Sequence, residues 1–205
     1  MRSFEISDSL KKELKKLIRK DNSRYRSILK KIDVDNVHKS GDYPAVFFKK
    51  VKKYDPETLE SIARVQRNIW NYSKVNFLYV YSDTEIRIYN CYDRPVFLNR
   101  KNVHIEEELE KRQLAAAKES DLEKLKILSR IFSSAAIDTG QIWRSEYSKQ
   151  INPQKKVDKY LVDSLLKLSK KLSKEHHLDG EVIHDLFMRS ILVMYSPDRD
   201  AIPVR

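Results

Sequence analysis

Between residues 54 and 90 the spacing of apolar positions changes from helical to alternating, and the elements follow from that change. After Pro56, the residues Leu59, Ile62, Val65, Ile69 and Trp70 recur at helical spacing, the pattern of a helix with one buried stripe. Pro56 suits the first helical position, since it has no N–H to leave unsatisfied there, and Asp55 stands before it as the cap. Two apolar-aromatic runs follow, residues 77–81 and 86–89. In the second, Ile86 and Ile88 alternate with Arg87 and Tyr89, the period of a half-buried strand. Ser82, Asp83 and Thr84 between the runs join them as a hairpin. Upstream, residues 45–51 (AVFFKKV) read as a further strand.

On the N-terminal side, Ile6, Leu10, Leu14, Leu17 and Ile18 predict an opening helix with Ser7 or Ser9 as its cap. Tyr25, Ile28, Leu29 and Ile32 predict a second, short one. Residues 33–44 read as a loop, because Asp, Asn, Ser, Gly and Pro cluster there. Asp93, Arg94 and Pro95 mark a turn, after which residues 96–98 add a short edge strand. Beyond residue 103 the pattern is helical: residues 105–118, residues 122–132, and a helix through Val157, Leu161, Leu165, Leu168 and Leu172 with Lys in its last turns. The last helix, residues 181–195, is apolar almost all round and needs cover on more than one side. That cover comes from the preceding helices together with a missing part of the protein or a second copy. The expected fold is α+β, a small mixed α/β half over residues 1–100 and an all-helical half over residues 101–205. Trp70 and Trp143 both stand among apolar positions and are expected to be buried.

Composition narrows the chemistry. Three glycines and six prolines in 205 residues favour long helices over a fold of tight turns. Lys and Arg number 41 against 30 Asp and Glu, a formal charge of +11. Such a surplus suits phosphate contact, although solvated Lys-rich helix faces produce it equally well. The single cysteine, Cys91, excludes a disulfide or a Cys-based metal site within the chain and is expected to be a small buried residue. No apolar run approaches the ~20 residues of a membrane span, and the charged N-terminus has no signal-peptide core, so a cytoplasmic protein without a membrane partner is expected. The five histidines form no His-Glu-x-x-His array, and no metal ligand set is expected. Gly41, Gly140 and Gly180 lie too far apart for a P-loop or a Gly-rich loop for S-adenosylmethionine. No Asn-Pro-Pro-Tyr-like tetrad occurs. The chain is therefore expected to hold no cofactor and no catalytic residue.

Three segments carry a family likeness: residues 67–96 (RNIWNYSKVNFLYVYSDTEIRIYNCYDRPV); Gly140, Ile142 and Trp143 followed by Lys156, Val157, Asp158 and a Leu-rich helix; and residues 186–202, with Arg189, Tyr195, Asp198 and Arg199. Together they resemble the N-terminal region of adenine-specific (N-6) DNA methyltransferases of restriction-modification systems. The likeness covers nearly the whole chain, through apolar patterns and scattered polar positions rather than a catalytic signature. Ser196-Pro197 and Asp200 depart from the family's Tyr-Leu-Glu-Asp-Arg-Gly ending. The resemblance implies a C-terminal methyltransferase domain in the parent protein, with S-adenosylmethionine as that enzyme's cofactor, and assigns residues 101–205 as the connector packed against it. The α/β half further resembles a restriction-endonuclease-like core, in which a strand carries an acid, one variable residue and Lys. On that pattern Lys49 takes the place of the Lys and Phe47 that of the acid. Phenylalanine cannot ligate Mg²⁺, which requires oxygen, so the nuclease site is expected to be degenerate.

The resulting expectation is a non-catalytic module that contacts the DNA backbone and positions the methyltransferase domain. Lys49, Lys50, Lys52, Lys53, Arg64, Arg67 and Arg87 are the expected DNA contacts, since basic residues flank the strand that would line the nuclease-like cleft. Two alternatives stay open: an active Mg²⁺-dependent endonuclease using Asp42, Glu60 and Glu85, and a purely structural interaction module. The expected partners are DNA, the C-terminal methyltransferase domain and, through the last helix, a second copy of the chain.

Overall fold

The computed structural model describes residues 25–72, 74–96, 104–152 and 157–195, and their side chains except at 157–158 and 192–195. The fold is mixed α+β, with one five-stranded mixed sheet. Helix α1 (Arg26–Ile32) leads into the antiparallel pair β1 (Asn36–Ser40) and β2 (Tyr43–Lys50). Helix α2 (Pro56–Tyr72) then carries the chain over the sheet, so that β3 (Phe77–Tyr81) lies parallel to β2. The hairpin of β3 with β4 (Glu85–Asn90) follows, then α3 (Ile105–Glu110) and β5 (Gln113–Lys118), antiparallel to β4. Strands lie in the order of the chain, β1 to β5. Helices α4 (Leu122–Ile131) and α5 (Ser134–Asp138) and two 3₁₀ turns (Gln141–Arg144 and Glu146–Gln150) complete the first compact unit, which closes at Val157. The second unit opens at Asp158 and holds α6 (Val157–His176, of which only the first residue belongs to the first unit) and α7 (Gly180–Tyr195).

Strand alternation sorts the first unit's core into two layers. Phe47, Leu78, Val80 and Tyr89 point to one face, where Leu29 and Ile32 of α1, Leu59, Ile62 and Ile69 of α2, and Leu109 of α3 cover them. Val46, Phe48, Phe77, Tyr79, Ile86 and Ile88 point to the other, under Leu125 and Leu128 of α4, Phe132, and Ile137 of α5. The sheet is thus buried on both faces, which is why β2 and β3 read as nearly continuous apolar runs.

Several expected elements are in place. The α2 cap forms as expected, with the Thr58 N–H donating to Asp55 Oδ1 at 2.9 Å. The hairpin turn is held by Ser82, whose Oγ accepts the Glu85 N–H at 3.0 Å. Cys91 and Trp70 are buried. Four expectations need correction. Residues 33–44 contain a strand, β1, whose Val37 packs in the core and whose polar neighbours made it read as a loop. Residues 105–118 are not one helix: α3 ends at Glu110 and Gln113–Lys118 is a strand. The alanines there favour a helix intrinsically, but pairing with β4 overrides that preference. In consequence the division between compact units falls at Val157 and not near residue 100, inside the expected helical half. Trp143 is 41% exposed, because it lies on a 3₁₀ turn whose inward residue is Ile142. The opening helix over residues 6–18 lies outside the described residues, as does most of the edge strand expected over residues 96–98.

Candidate functional site

The strand that would carry a nuclease acid is β2. Phe47 is fully buried beneath α2, as its apolar side chain demands. Lys49, two residues on and so on the same face, is only 12% exposed at its side chain. Its Nζ donates to Asp33 Oδ2 at 2.8 Å and to the Asp33 carbonyl at 2.9 Å. Asp33 ends α1 in a left-handed conformation (φ 69°), which aims both oxygens at the strand. Asp35 Oδ2 accepts the backbone N–H of Lys50 at 2.5 Å. These acids therefore bind the end of β2 itself. Among the described residues no group of three His, Cys, Asp or Glu is placed to hold a metal ion.

The acids of the endonuclease alternative do not converge. Asp42 is in the β1–β2 turn, at the N-terminal end of β2. Glu85 begins β4, beside the opposite end of the same strand, where Lys50 pairs with Tyr81 and Tyr81 with Ile86. Glu60 lies on α2 and is bound by Arg64 one turn on.

Arg87 and Lys49 share a row across the sheet, each opposite Val80. Arg87 Nε donates to Glu85 Oε1 at 2.7 Å, and its guanidinium lies 4.1 Å over the Tyr54 ring. Burial works against the Arg87 charge, but the hydrogen bonds and charges of Glu85 and Tyr89 together outweigh it and raise the guanidinium's pKa. The neighbouring Tyr89 phenol is pushed up to about 12 by burial, and the Tyr54 phenol still further. The Tyr54 hydroxyl donates to the Val80 carbonyl at 2.9 Å. Arg87 is thus held inside the fold by a carboxylate and a ring, an arrangement suited to fixing the β3–β4 hairpin over α2.

The other expected contacts lie at two places. Lys50, Lys52 and Lys53 are exposed at the end of β2, with Lys50 paired to Asp83 at 3.4 Å and Lys53 to Asp55 at 3.0 Å. Arg64 and Arg67 stand on the outward side of α2, next to exposed Asn68 and Asn71. Residues 61–72 contain no carboxylate. Helix α1 packs beside α2 and turns Arg26, Lys30 and Lys31 outward, again with no acid in its seven residues. The outward sides of these two helices carry five exposed cations and two amides, with Glu57 exposed at the start of α2 and Glu60 against Arg64, and are bordered on the far side of α2 by acidic α3, with Glu106, Glu107, Glu108 and Glu110. Sequence reading missed Arg26, Lys30 and Lys31. Their acid-free run was visible, but that α1 lies beside α2 was not.

No family model, no curated protein and no solved structure matches the chain.

Proposed function

We propose that the chain is a non-catalytic, nuclease-like N-terminal module of a restriction-modification adenine-specific DNA methyltransferase, and that it grips the DNA backbone and positions the methyltransferase domain. The observation that carries the DNA contact is the outward face of α1 and α2: Arg26, Lys30, Lys31 and Arg67 stand there with Asn68 and Asn71, all of them donors to phosphate, and Arg64, though paired with Glu60, is exposed beside them with further N–H groups to offer. The acidic α3 borders this face and would repel phosphates, so it bounds the track of the duplex. Lys49 and Arg87 are spent on Asp33 and Glu85 and serve the fold, leaving Lys50, Lys52 and Lys53 as a second, weaker row. Phe47, buried in the core beneath α2, offers no oxygen to a cation, which fits a module without a metal-dependent nuclease site on this strand.

In this reading S-adenosylmethionine belongs to the parent enzyme, and the work is done in the cytoplasm, where the DNA is. No helix among the described residues is long and apolar enough to cross a membrane. Helices α6 and α7 would supply the connector to the methyltransferase domain, with self-association through α7 as the substitute where that domain is absent. Duplexes of unrelated sequence should bind the purified chain with similar affinity, and should be neither nicked with Mg²⁺ nor methylated with S-adenosylmethionine. Nicking that an Asp42→Ala or Glu85→Ala change abolishes would establish the endonuclease instead, and absence of binding at low salt would leave the structural module.

A further inference from the structure

Among the described residues, nine of the twelve exposed large apolar side chains lie on α6 and α7, with Leu166 at 55% and Met188 at 57% the most exposed of each helix. That share marks these two helices, rather than the sheet unit, as the part of the chain that needs cover. The charges beside the apolar positions show what kind of surface fits them.

On α6 the described carboxylates are used within the helix: Lys159 pairs with Asp163 at 3.4 Å and Lys171 with Glu175 at 3.7 Å. Lys167, Lys170 and Lys174 are exposed and make no ion pair among the described residues. On α7 Glu181 and Asp185 are exposed as well and likewise unpaired, and Arg189 leaves that helix with two acids against one fixed base. One helix therefore carries spare bases and the other spare acids.

Their spacing matches. Residues three and four apart share a side of a helix. Along α6, Lys170 and Lys174 stand about 6 and 12 Å beyond Leu166; along α7 in the reverse direction, Asp185 and Glu181 stand about 4.5 and 10.5 Å beyond Met188. Laid antiparallel, the two rows set Leu166 on Met188, Lys170 on Asp185 and Lys174 on Glu181. Within one chain they do not meet in this way, since all six side chains are exposed and no ion pair joins them. We infer that α6 of one copy packs antiparallel on α7 of a second copy, each chain giving one row and receiving the other, to close a two-fold dimer. A two-fold interface needs a surface complementary to itself, and a chain that carries both rows meets that demand. Apolar contact supplies the cover, and the charge rows fix its register. The inference rests on the self-association proposed above for α7 and names the surface that α7 meets.

The test is sedimentation of the full chain without DNA, so that its failure is separate from any failure of duplex binding. The native chain should sediment as a dimer. Lys170→Glu with Lys174→Glu, and separately Glu181→Lys with Asp185→Lys, should each weaken the dimer at least about tenfold, because each sets like charges opposite one another. An equal mixture of the two variants should regain the native affinity as a heterodimer, since every reversed row then meets its opposite. If the second variant loses helix by circular dichroism, Glu181→Gln with Asp185→Asn takes its place and should also weaken the dimer. A monomeric native chain, open-ended assembly in place of a dimer, native affinity in the variants, or two folded reversed variants that do not recover on mixing would overturn the inference.

Discussion

The two tryptophans show how much a side chain's role depends on which way its turn faces. Trp70 is 6% exposed and its indole N–H donates to the Tyr92 carbonyl at 3.3 Å, whereas Trp143 leaves 41% of its surface in water. Trp70→Ala should therefore cost about 3–5 kcal/mol in urea unfolding, and Trp143→Ala about 1 kcal/mol or less. Equal losses would contradict this assignment of the two rings. Asp55 gives a pH-dependent counterpart. The side-chain and backbone hydrogen bonds from Thr58, with a further one from Lys53, lower its carboxyl from 3.8 to about 2 in the fold. A carboxyl depressed by folding stabilises above its unfolded value and loses that contribution as the pH falls through its folded one. The melting temperature of Asp55→Ala should thus lie below that of the native chain above pH 3.8, and the gap should close as the pH falls toward about 2. A gap that persists unchanged there would show that Asp55 acts through something other than its charge.

Elements were legible in the sequence where local pattern and tertiary placement agree. The stripe from Leu59 to Trp70, with Asp55 and Pro56 at its start, is α2 as read, and the alternation from Ile86 to Tyr89 is β4. Elements whose own composition runs against the pairing that makes them strands were misread. β1 is polar at Asn36, His38, Lys39 and Ser40 and is a strand because β2 pairs with it; β5 is alanine-rich and is a strand because β4 pairs with it. Tertiary placement likewise hid the cationic face, half of which comes from α1. The edge strand β1 also has a tie that no local pattern announces. His38 is fully buried, and its Nε2 lies 2.9 Å from Oδ1 of Asp138 at the end of α5, a hundred residues away. Asp138→Ala removes that partner from a buried polar ring and should destabilise the fold by about 1–3 kcal/mol. Asp138→Asn should recover most of the loss. An unchanged unfolding midpoint in Asp138→Ala would mean that the tie contributes nothing to holding β1.

At the scale of the whole chain, the two compact units present different surfaces. The first buries its sheet on both faces. The second leaves large apolar side chains in solvent, among them Leu161 and Leu166 of α6 and Val182, Leu186 and Met188 of α7, the last 57% exposed. Among the described side chains of α7, Ile183 is buried. Exposed apolar surface in such amounts seeks a partner. The chain should self-associate in sedimentation velocity, and Met188→Lys should yield a folded monomer. An unfolded Met188→Lys would instead assign that position to an internal contact.

The central claim is that α1 and α2 hold the DNA backbone, and the salt dependence of duplex binding tests it most directly. With a labelled duplex followed by fluorescence anisotropy between about 50 and 200 mM salt, log affinity should fall linearly with log salt. Arg64→Gln with Arg67→Gln, and separately Lys30→Gln with Lys31→Gln, should each flatten that slope by up to about 0.9 for every phosphate contact removed, with the same change for any duplex sequence. A slope that neither pair alters, or no binding at the lowest salt, would contradict the account.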